Sequence, residues 1–278
     1  MPYSQLISPQ SLKQILKQPN LVLLDASIPP VAGIPEPEHG WPQVTIQGAR
    51  RFDLNDNFSD RHSEFSHTLP SVEQFQQSAR ALGINRDSQI VVYDNVGIYS
   101  APRAWWMFKA MGHSNVAVLD GGLPNWLAQG YAVEPAQHMT IEQGDIHCSL
   151  EPQYFCDYRD VLKAIDDDDT TIIDARAENR FLGKTPEPRK GLRSGHIPNS
   201  KSLPFQTLIS QGQLVEKAQL QQSFAEIAQT NQTLVFSCGS GITACVLALA
   251  ADIAEFPNLR VYDGSWAEWG SNEQLPIS

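Results

Sequence analysis

The chain has 278 residues, 41% hydrophobic and 18% charged. That is enough apolar material for one large core or two ordinary ones, and it excludes a disordered or fibrous protein. The 20 Lys+Arg against 31 Asp+Glu leave a formal charge of -11, a field that repels polyphosphates. No Lys/Arg cluster offsets it, so the sequence speaks against nucleic acid as a partner.

In chain order, the N-terminal MPYSQLISPQSLKQILKQPN reads as an amphipathic helix, with Leu12, Ile15 and Leu16 at helical spacing. It lacks the basic start and apolar run of a secretory signal, and no later stretch is long and apolar enough to span a bilayer. The expectation is a cytoplasmic protein with no membrane partner. LVLLDAS follows, an apolar strand closing on an Asp, and then PPVAGIPEPEHGWP (29–42), to which no role attaches. SQIVVYDN is a second buried strand, SAPRAWWMFKAMG a helix, and VAVLDGGLPNWLAQG a strand ending in an Asp-Gly turn, with Trp126 six residues after Asp120.

The same plan then recurs. TIIDAR answers LVLLDAS, TLVFSCGS answers SQIVVYDN, ITACVLALAADI answers the helix, and LRVYDGSWAEWG repeats the Asp-Gly turn, with Trp269 six residues after Asp263. Short apolar strands alternating with helices imply α/β architecture, each half a parallel sheet flanked by helices. The non-periodic stretch from Glu134 to Glu151 marks the boundary. It divides the chain into a domain at 1–138, a linker at 139–152 and a domain at 153–278. The run Asp166 to Asp169, between a helix and a strand, reads as a solvated loop.

The four cysteines, Cys148, Cys156, Cys238 and Cys245, form no Cys-x-x-Cys pair and no zinc pattern, so no metal and no organic cofactor is implied. Three of them read as small buried hydrophobes. Cys238 differs, because a buried strand runs through it into Gly239-Ser240-Gly241-Ile242-Thr243 and then an apolar helix. Such a loop curls its N–H groups inward onto a helix N-terminus, where negative charge is favoured. A cysteine there is expected to serve as a thiolate nucleophile. Three competing readings fit less well. Gly239-x-Gly241-x-x-Ala244 with Asp263 has the elements of a dinucleotide fingerprint, but that fingerprint normally begins a domain, and here the chain ends fifteen residues after Asp263. A cysteine phosphatase needs an Arg where Ala244 stands, and a hydrolase elbow needs a Gly where Cys238 stands.

Beyond these patterns, CGSGITAC (238–245) resembles the active-site loop CGSGVTAC of the 3-mercaptopyruvate sulfurtransferases within the rhodanese superfamily. The segments RFLGKTPEPRKGLRSGHIPNSKSLPF, YDGSWAEWG, YDNVGIYSAPRAWW and VLDGGLPNW are similar to family segments, so the resemblance spans nearly the whole chain. It implies two rhodanese-like domains. The first would be catalytically inactive, with Asp94 standing where Cys238 stands in the second. The site would lie at the base of a cleft between them. The resemblance assigns Cys238 as sulfur carrier, with Gly239, Gly241, Ile242 and Thr243 around it, and Arg180 and Arg189 as holders of a carboxylate. Ser240 and His67 would form a relay. Its acid reads as Asn55 counted forward from Asp53 and as Asp56 counted back from Ser59-Asp60; only Asp56 could stabilise an imidazolium as a carboxylate.

The implied reaction moves sulfur from 3-mercaptopyruvate through a Cys238 persulfide to a small thiol, a thioredoxin-like protein or cyanide. Thiosulfate is the alternative donor, favoured in relatives whose loop reads CRKGVTAC. A non-catalytic binding module, with Cys238 a regulatory thiol, is the alternative of a different class.

Overall fold

The computed structural model describes residues 4–30, 34–136 and 140–278. The boundary expected between 138 and 139 starts outside the described residues, as do the first three residues of the N-terminal segment. The chain folds as two compact units: Met1–Arg61, Leu69–Glu151 and Gln211–Leu214 form unit 1, and His62–Thr68, Pro152–Ser210 and Val215–Ser278 form unit 2.

Unit 1 carries a five-stranded parallel sheet of β1 (Leu6–Ile7), β2 (Leu21–Asp25), β3 (Arg50–Arg51), β4 (Gln89–Tyr93) and β5 (Val116–Leu119), in the order β1-β5-β4-β2-β3. Unit 2 repeats it with β6 (Phe155–Cys156), β7 (Thr170–Asp174), β8 (Lys201–Ser202), β9 (Thr233–Ser237) and β10 (Leu259–Tyr262), in the order β6-β10-β9-β7-β8. Strand for strand, the order is the same. The apolar runs sit centrally because a strand covered on both faces must be apolar on both: all five residues of β4 and all but the first of β9 are buried.

The N-terminal helix is shorter than the periodicity suggests. Ser8 caps it, its Oγ accepting from the Ser11 N–H at 3.1 Å, and Pro9 opens it, so the helix is α1 (Pro9–Ile15), with Leu12 fully buried. Leu6 and Ile7, read as helix from sequence, instead pair with Val118 and Leu119 as the edge strand β1. Four further helices organise the sites: α2 (Ala101–Ala110) and α3 (Gly122–Ala128) in unit 1, and α4 (Ala244–Ile253) and α5 (Ser265–Trp269) in unit 2. The paired tryptophans do the same work in each. The Trp126 indole N–H donates to the Ala132 carbonyl at 3.0 Å and that of Trp269 to the Pro276 carbonyl at 2.8 Å, each ring at 0% exposure.

The stretch read as a linker is held onto unit 1 by its backbone. The Gly144, Ile146, Ser149 and Glu151 N–H groups donate to the carbonyls of Arg80, Ile84, Met111 and Ala110. Residues 35–39, within the stretch that carried no role, wall a cavity of about 450 Å³ against Val96, Leu123 and Leu127. Asp167 turns the acidic run back on itself, accepting from the Asp169 N–H at 3.1 Å and from the Thr170 hydroxyl at 2.7 Å. None of the described helices is long and apolar enough to cross a membrane.

Candidate active site

Each unit ends its central strand in a loop that feeds a buried helix, and the first loop shows what the second can do. In unit 1, Asp94 follows β4 and is fully buried. Its Oδ1 accepts from the N–H groups of Val96 at 3.0 Å and Gly97 at 2.9 Å; its Oδ2 accepts from Tyr99, Ser100 and Ala101, each at 2.9 Å. Five backbone donors converge on one carboxylate, which makes the loop an anion cradle occupied by its own side chain.

In unit 2, Cys238 follows β9 at the matching position, 2% exposed, and Gly241 takes φ +77° three residues on, where Gly97 takes φ +127°. A side chain with Cβ is disfavoured at either angle, so both turns call for glycine. Among the described residues, no acceptor takes the backbone N–H of Ser240, Gly241, Ile242 or Thr243. Backbone donors that Asp94 occupies in unit 1 thus have counterparts after Cys238 that carry no acceptor among the described residues.

The sulfur's backbone is fixed from α5. The Cys238 N–H donates to Ser265 Oγ at 3.2 Å, while the Trp266 and Ala267 N–H groups donate to the carbonyls of Cys238 and Gly239 at 2.9 and 3.0 Å. The other thiols are built to be inert. Burial pushes the Cys148 thiol up to about 11 and that of Cys156 to about 12, so both stay protonated at neutral pH. Cys245 is fully buried in α4, with its sulfur 3.2 Å from the Gly241 carbonyl.

His67 Nδ1 lies 3.1 Å from Ser240 Oγ, with Ser240 only 7% exposed. His67 adopts φ +67°, a left-handed conformation that a non-glycine residue holds at a cost of about 1–3 kcal/mol, and such strain concentrates at functional sites. Read from sequence as supplied by the first domain, it clusters with residues 62–68 in unit 2. Asp56 spends its carboxylate elsewhere, on Arg61 Nε at 2.9 Å, and its side chain is 63% exposed. Asn55 turns its N–H onto the Asp53 carboxylate at 2.9 Å.

Arg180 and Arg189 both flank Gly239. A methyl group built on that glycine would stand 3.3 Å from Arg180 Nη2 and 3.6 Å from Arg189 Nη1. Arg189 Nη1 also donates to the Gly239 carbonyl at 3.4 Å. Two residues that the motifs did not single out organise this cationic wall. Glu187, its side chain 2% exposed, accepts from Arg180 Nη2 at 2.5 Å and from Arg176 Nη1 at 2.9 Å. Arg176 grips Asp174 through Nε and Nη2 and stacks 4.2 Å from the Trp266 ring. Burial opposes the Arg176 charge, but Asp174 and Glu187 outweigh it and hold the guanidinium protonated. The signal was in the sequence as Asp-Ala-Arg at a strand end, where unit 1 reads Asp-Ala-Ser, and as a lone acid inside a basic segment.

The rhodanese-like domain model matches residues 8–129 and 157–272. The 3-mercaptopyruvate sulfurtransferase of Rattus norvegicus is 38% identical over 277 residues, covering 96% of this chain and 92% of its own. The thiosulfate sulfurtransferase of Cricetulus griseus is 36% identical over 279 residues, covering 96% and 92%. A crystal structure of the Escherichia coli 3-mercaptopyruvate sulfotransferase superposes with a TM-score of 0.83 at 31% identity, covering 95% of this chain and 99% of that one.

Proposed function

The chain belongs to the rhodanese-like family and is a sulfurtransferase, and we propose that it draws its sulfur from 3-mercaptopyruvate through a persulfide on Cys238. The observation that carries this reading is the Cys238 loop itself: the position that holds a carboxylate in unit 1 holds a thiol in unit 2, and two guanidiniums stand beside the adjoining Gly239. Arg180 and Arg189 are donors suited to a carboxylate, because a guanidinium forks onto its two oxygens and keeps its charge.

The Cys238 thiolate attacks the donor sulfur. An S–S bond forms, the C–S bond breaks, and pyruvate leaves as its enolate. Negative charge develops on the carbonyl oxygen as that bond breaks, and the Ser240 hydroxyl, 3.1 Å from His67, is the donor available to meet it. The donor's thiol proton finishes on the methyl carbon of pyruvate, with Ser240 and His67 as its route. The sequence leaves the acid of this relay between Asn55 and Asp56; the Asp56 carboxylate lies on Arg61 and the Asn55 N–H on Asp53, so the relay is drawn from His67 to Ser240. The N–H groups of Ser240, Gly241, Ile242 and Thr243 stabilise the persulfide, which a small thiol, a reduced thioredoxin-like protein or cyanide then strips of its outer sulfur. Such transfer through a covalent intermediate gives ping-pong kinetics. The reading extends to a cytoplasmic enzyme.

Thiosulfate is the runner-up donor, since a relative of similar identity is named for it. Against it, Gly239 and Ser240 bring no cation to the sulfur. Donor preference at saturating cyanide tests the choice. Protein loaded with mercaptopyruvate is expected to release thiocyanate in one equivalent per Cys238, with a higher kcat/KM than with thiosulfate. Arg189→Ala should raise the mercaptopyruvate KM roughly tenfold, the equivalent of one lost charge-assisted hydrogen bond. A higher kcat/KM for thiosulfate would overturn the donor assignment.

A further inference from the structure

The charged groups behind the Cys238 loop leave a surplus of definite size. Asp174 is committed to Arg176 through contacts of 2.7 and 3.0 Å. Glu187 serves two guanidiniums at once, Arg176 at 2.9 Å and Arg180 at 2.5 Å, with a second Arg180 contact through Nε at 3.2 Å. Arg189 makes no ion pair with any described residue. Three guanidiniums against two carboxylates leave a single net positive charge, and it sits on Arg189. Lys184 and Lys190, in the same segment, are exposed and screened by water.

We propose that Glu187 sets donor specificity: it cancels the charge of Arg180 while fixing the plane of its guanidinium, so that the site disfavours a donor with two negative charges relative to a donor with one. This deepens the mercaptopyruvate reading and rests on it. Two of Arg180's five N–H donors go to Glu187, and three remain for the substrate, now held in one orientation. Arg189 offers a monocarboxylate a charge partner beside these oriented donors, while the Cys238 thiolate already stands against the same wall. The second negative charge of a dianion adds one more without a partner, which a desolvated site penalises. Glu187 therefore selects by what it withholds. Without it the wall would be more cationic and a worse discriminator.

The test compares kcat/KM for mercaptopyruvate and thiosulfate in wild type, Glu187→Gln and Glu187→Asp. A ratio of the two donors on one preparation divides out the folded fraction, so a variant that folds poorly still reports. Glu187→Gln adds one net positive charge with almost no change of shape, and the ratio of mercaptopyruvate to thiosulfate should fall about tenfold or more, chiefly through a lower thiosulfate KM. Glu187→Asp keeps the charge on a shorter arm. There the ratio should hold within roughly twofold while the mercaptopyruvate KM rises, because orientation is lost and charge is not. An unchanged ratio in Glu187→Gln, or an equal fall in both variants, overturns the proposal. Should wild type itself prefer thiosulfate, the donor assignment fails; the change of ratio on substitution still reads the role of Glu187.

Discussion

The two central loops share a strand, a glycine turn and a helix, yet one is closed chemistry and the other open. Asp94 fills the first cradle with a covalently attached anion, and Cys238 leaves the second for sulfur. Their surroundings diverge in the same sense. Where unit 2 has Arg176, unit 1 has Ser27, whose hydroxyl accepts from the Asn95 N–H at 3.0 Å. Unit 1 keeps one guanidinium, Arg51, at its strand-end Asp25, where unit 2 gathers Arg176, Arg180 and Arg189. In unit 1, anion binding thus belongs to the loop's backbone, and on the reading proposed above the two loops differ in function through the one side chain at the mouth.

The largest expected effect comes from making the second loop chemically like the first. Cys238→Asp supplies a carboxylate to the cradle and removes the sulfur carrier, so thiocyanate release from donor-loaded protein should fall to background. The loop after Cys238 reaches its helix one residue sooner than that after Asp94, so the carboxylate will meet fewer donors than Asp94 does. Thermal stability should consequently change little. Residual stoichiometric release would show that sulfur rests somewhere other than Cys238.

The Cys238 loop was legible in sequence because its signals are local: a strand, a Gly-rich turn and an apolar helix within a dozen residues; the sequence marked Asp94 only as its counterpart, and the five donors on that carboxylate appear with the fold. The repeat was legible for the same reason, through Asp120 and Trp126 recurring as Asp263 and Trp269. What escaped is set by residues that meet only after folding. Glu187 and Arg176 look like solvated charges until the fold buries them together. Leu6–Ile7 is too short for any period to reveal, and its strand exists because β5 offers an edge. His67 carried a motif but not its location, since the segment 62–68 leaves the unit that its neighbours form. Asp56 sits in a plausible register, and only the fold shows that Arg61 takes its carboxylate.

The second effect empties the first cradle. Asp94→Ala leaves buried N–H groups without an acceptor, each worth about 1–3 kcal/mol when unpaired. Water will reach some of them, so a loss of roughly 3 kcal/mol is expected, or a Tm lower by about 6–12 °C in a chain of this size. Sulfate should then restore part of the loss, because an anion that binds only the folded state stabilises it by about 2.7 kcal/mol at a hundredfold excess over its Kd. Wild type should show no such sulfate dependence from this loop. A variant that melts like wild type would mean the five contacts do not hold the loop, and the likeness between the cradles would fail at its root.

The smallest effect is the most discriminating, and it lies at the residue that steadies each loop from behind. In unit 1 this is Gly122, at φ +52°, and a Cβ there would press to 2.3 Å from the Asp94 carbonyl. In unit 2 it is Ser265, at φ +50° and fully buried, so a side chain is retained in a conformation that suits glycine. A non-glycine residue held left-handed costs about 1–2 kcal/mol. The hydroxyl that comes with it accepts from the Cys238 N–H at 3.2 Å and donates to the Tyr262 carbonyl at 2.9 Å. Of the two loops, the Cys238 loop has this brace, and the Asp94 loop has a glycine in its place. Ser265→Gly relieves the strain and removes both hydrogen bonds, and glycine adds backbone freedom to the unfolded chain; these contributions are each about 1 kcal/mol and oppose one another, so Tm should move by only a few degrees. The turnover should suffer nonetheless. A Cys238 peptide free to swing misaligns the sulfur against the cradle, and kcat for mercaptopyruvate should drop roughly three- to tenfold with its KM unchanged, since the arginines that hold the carboxylate are untouched. A raised KM at constant kcat would place Ser265 in donor binding instead, and an unaltered kcat would show that the cradle aligns the sulfur without it.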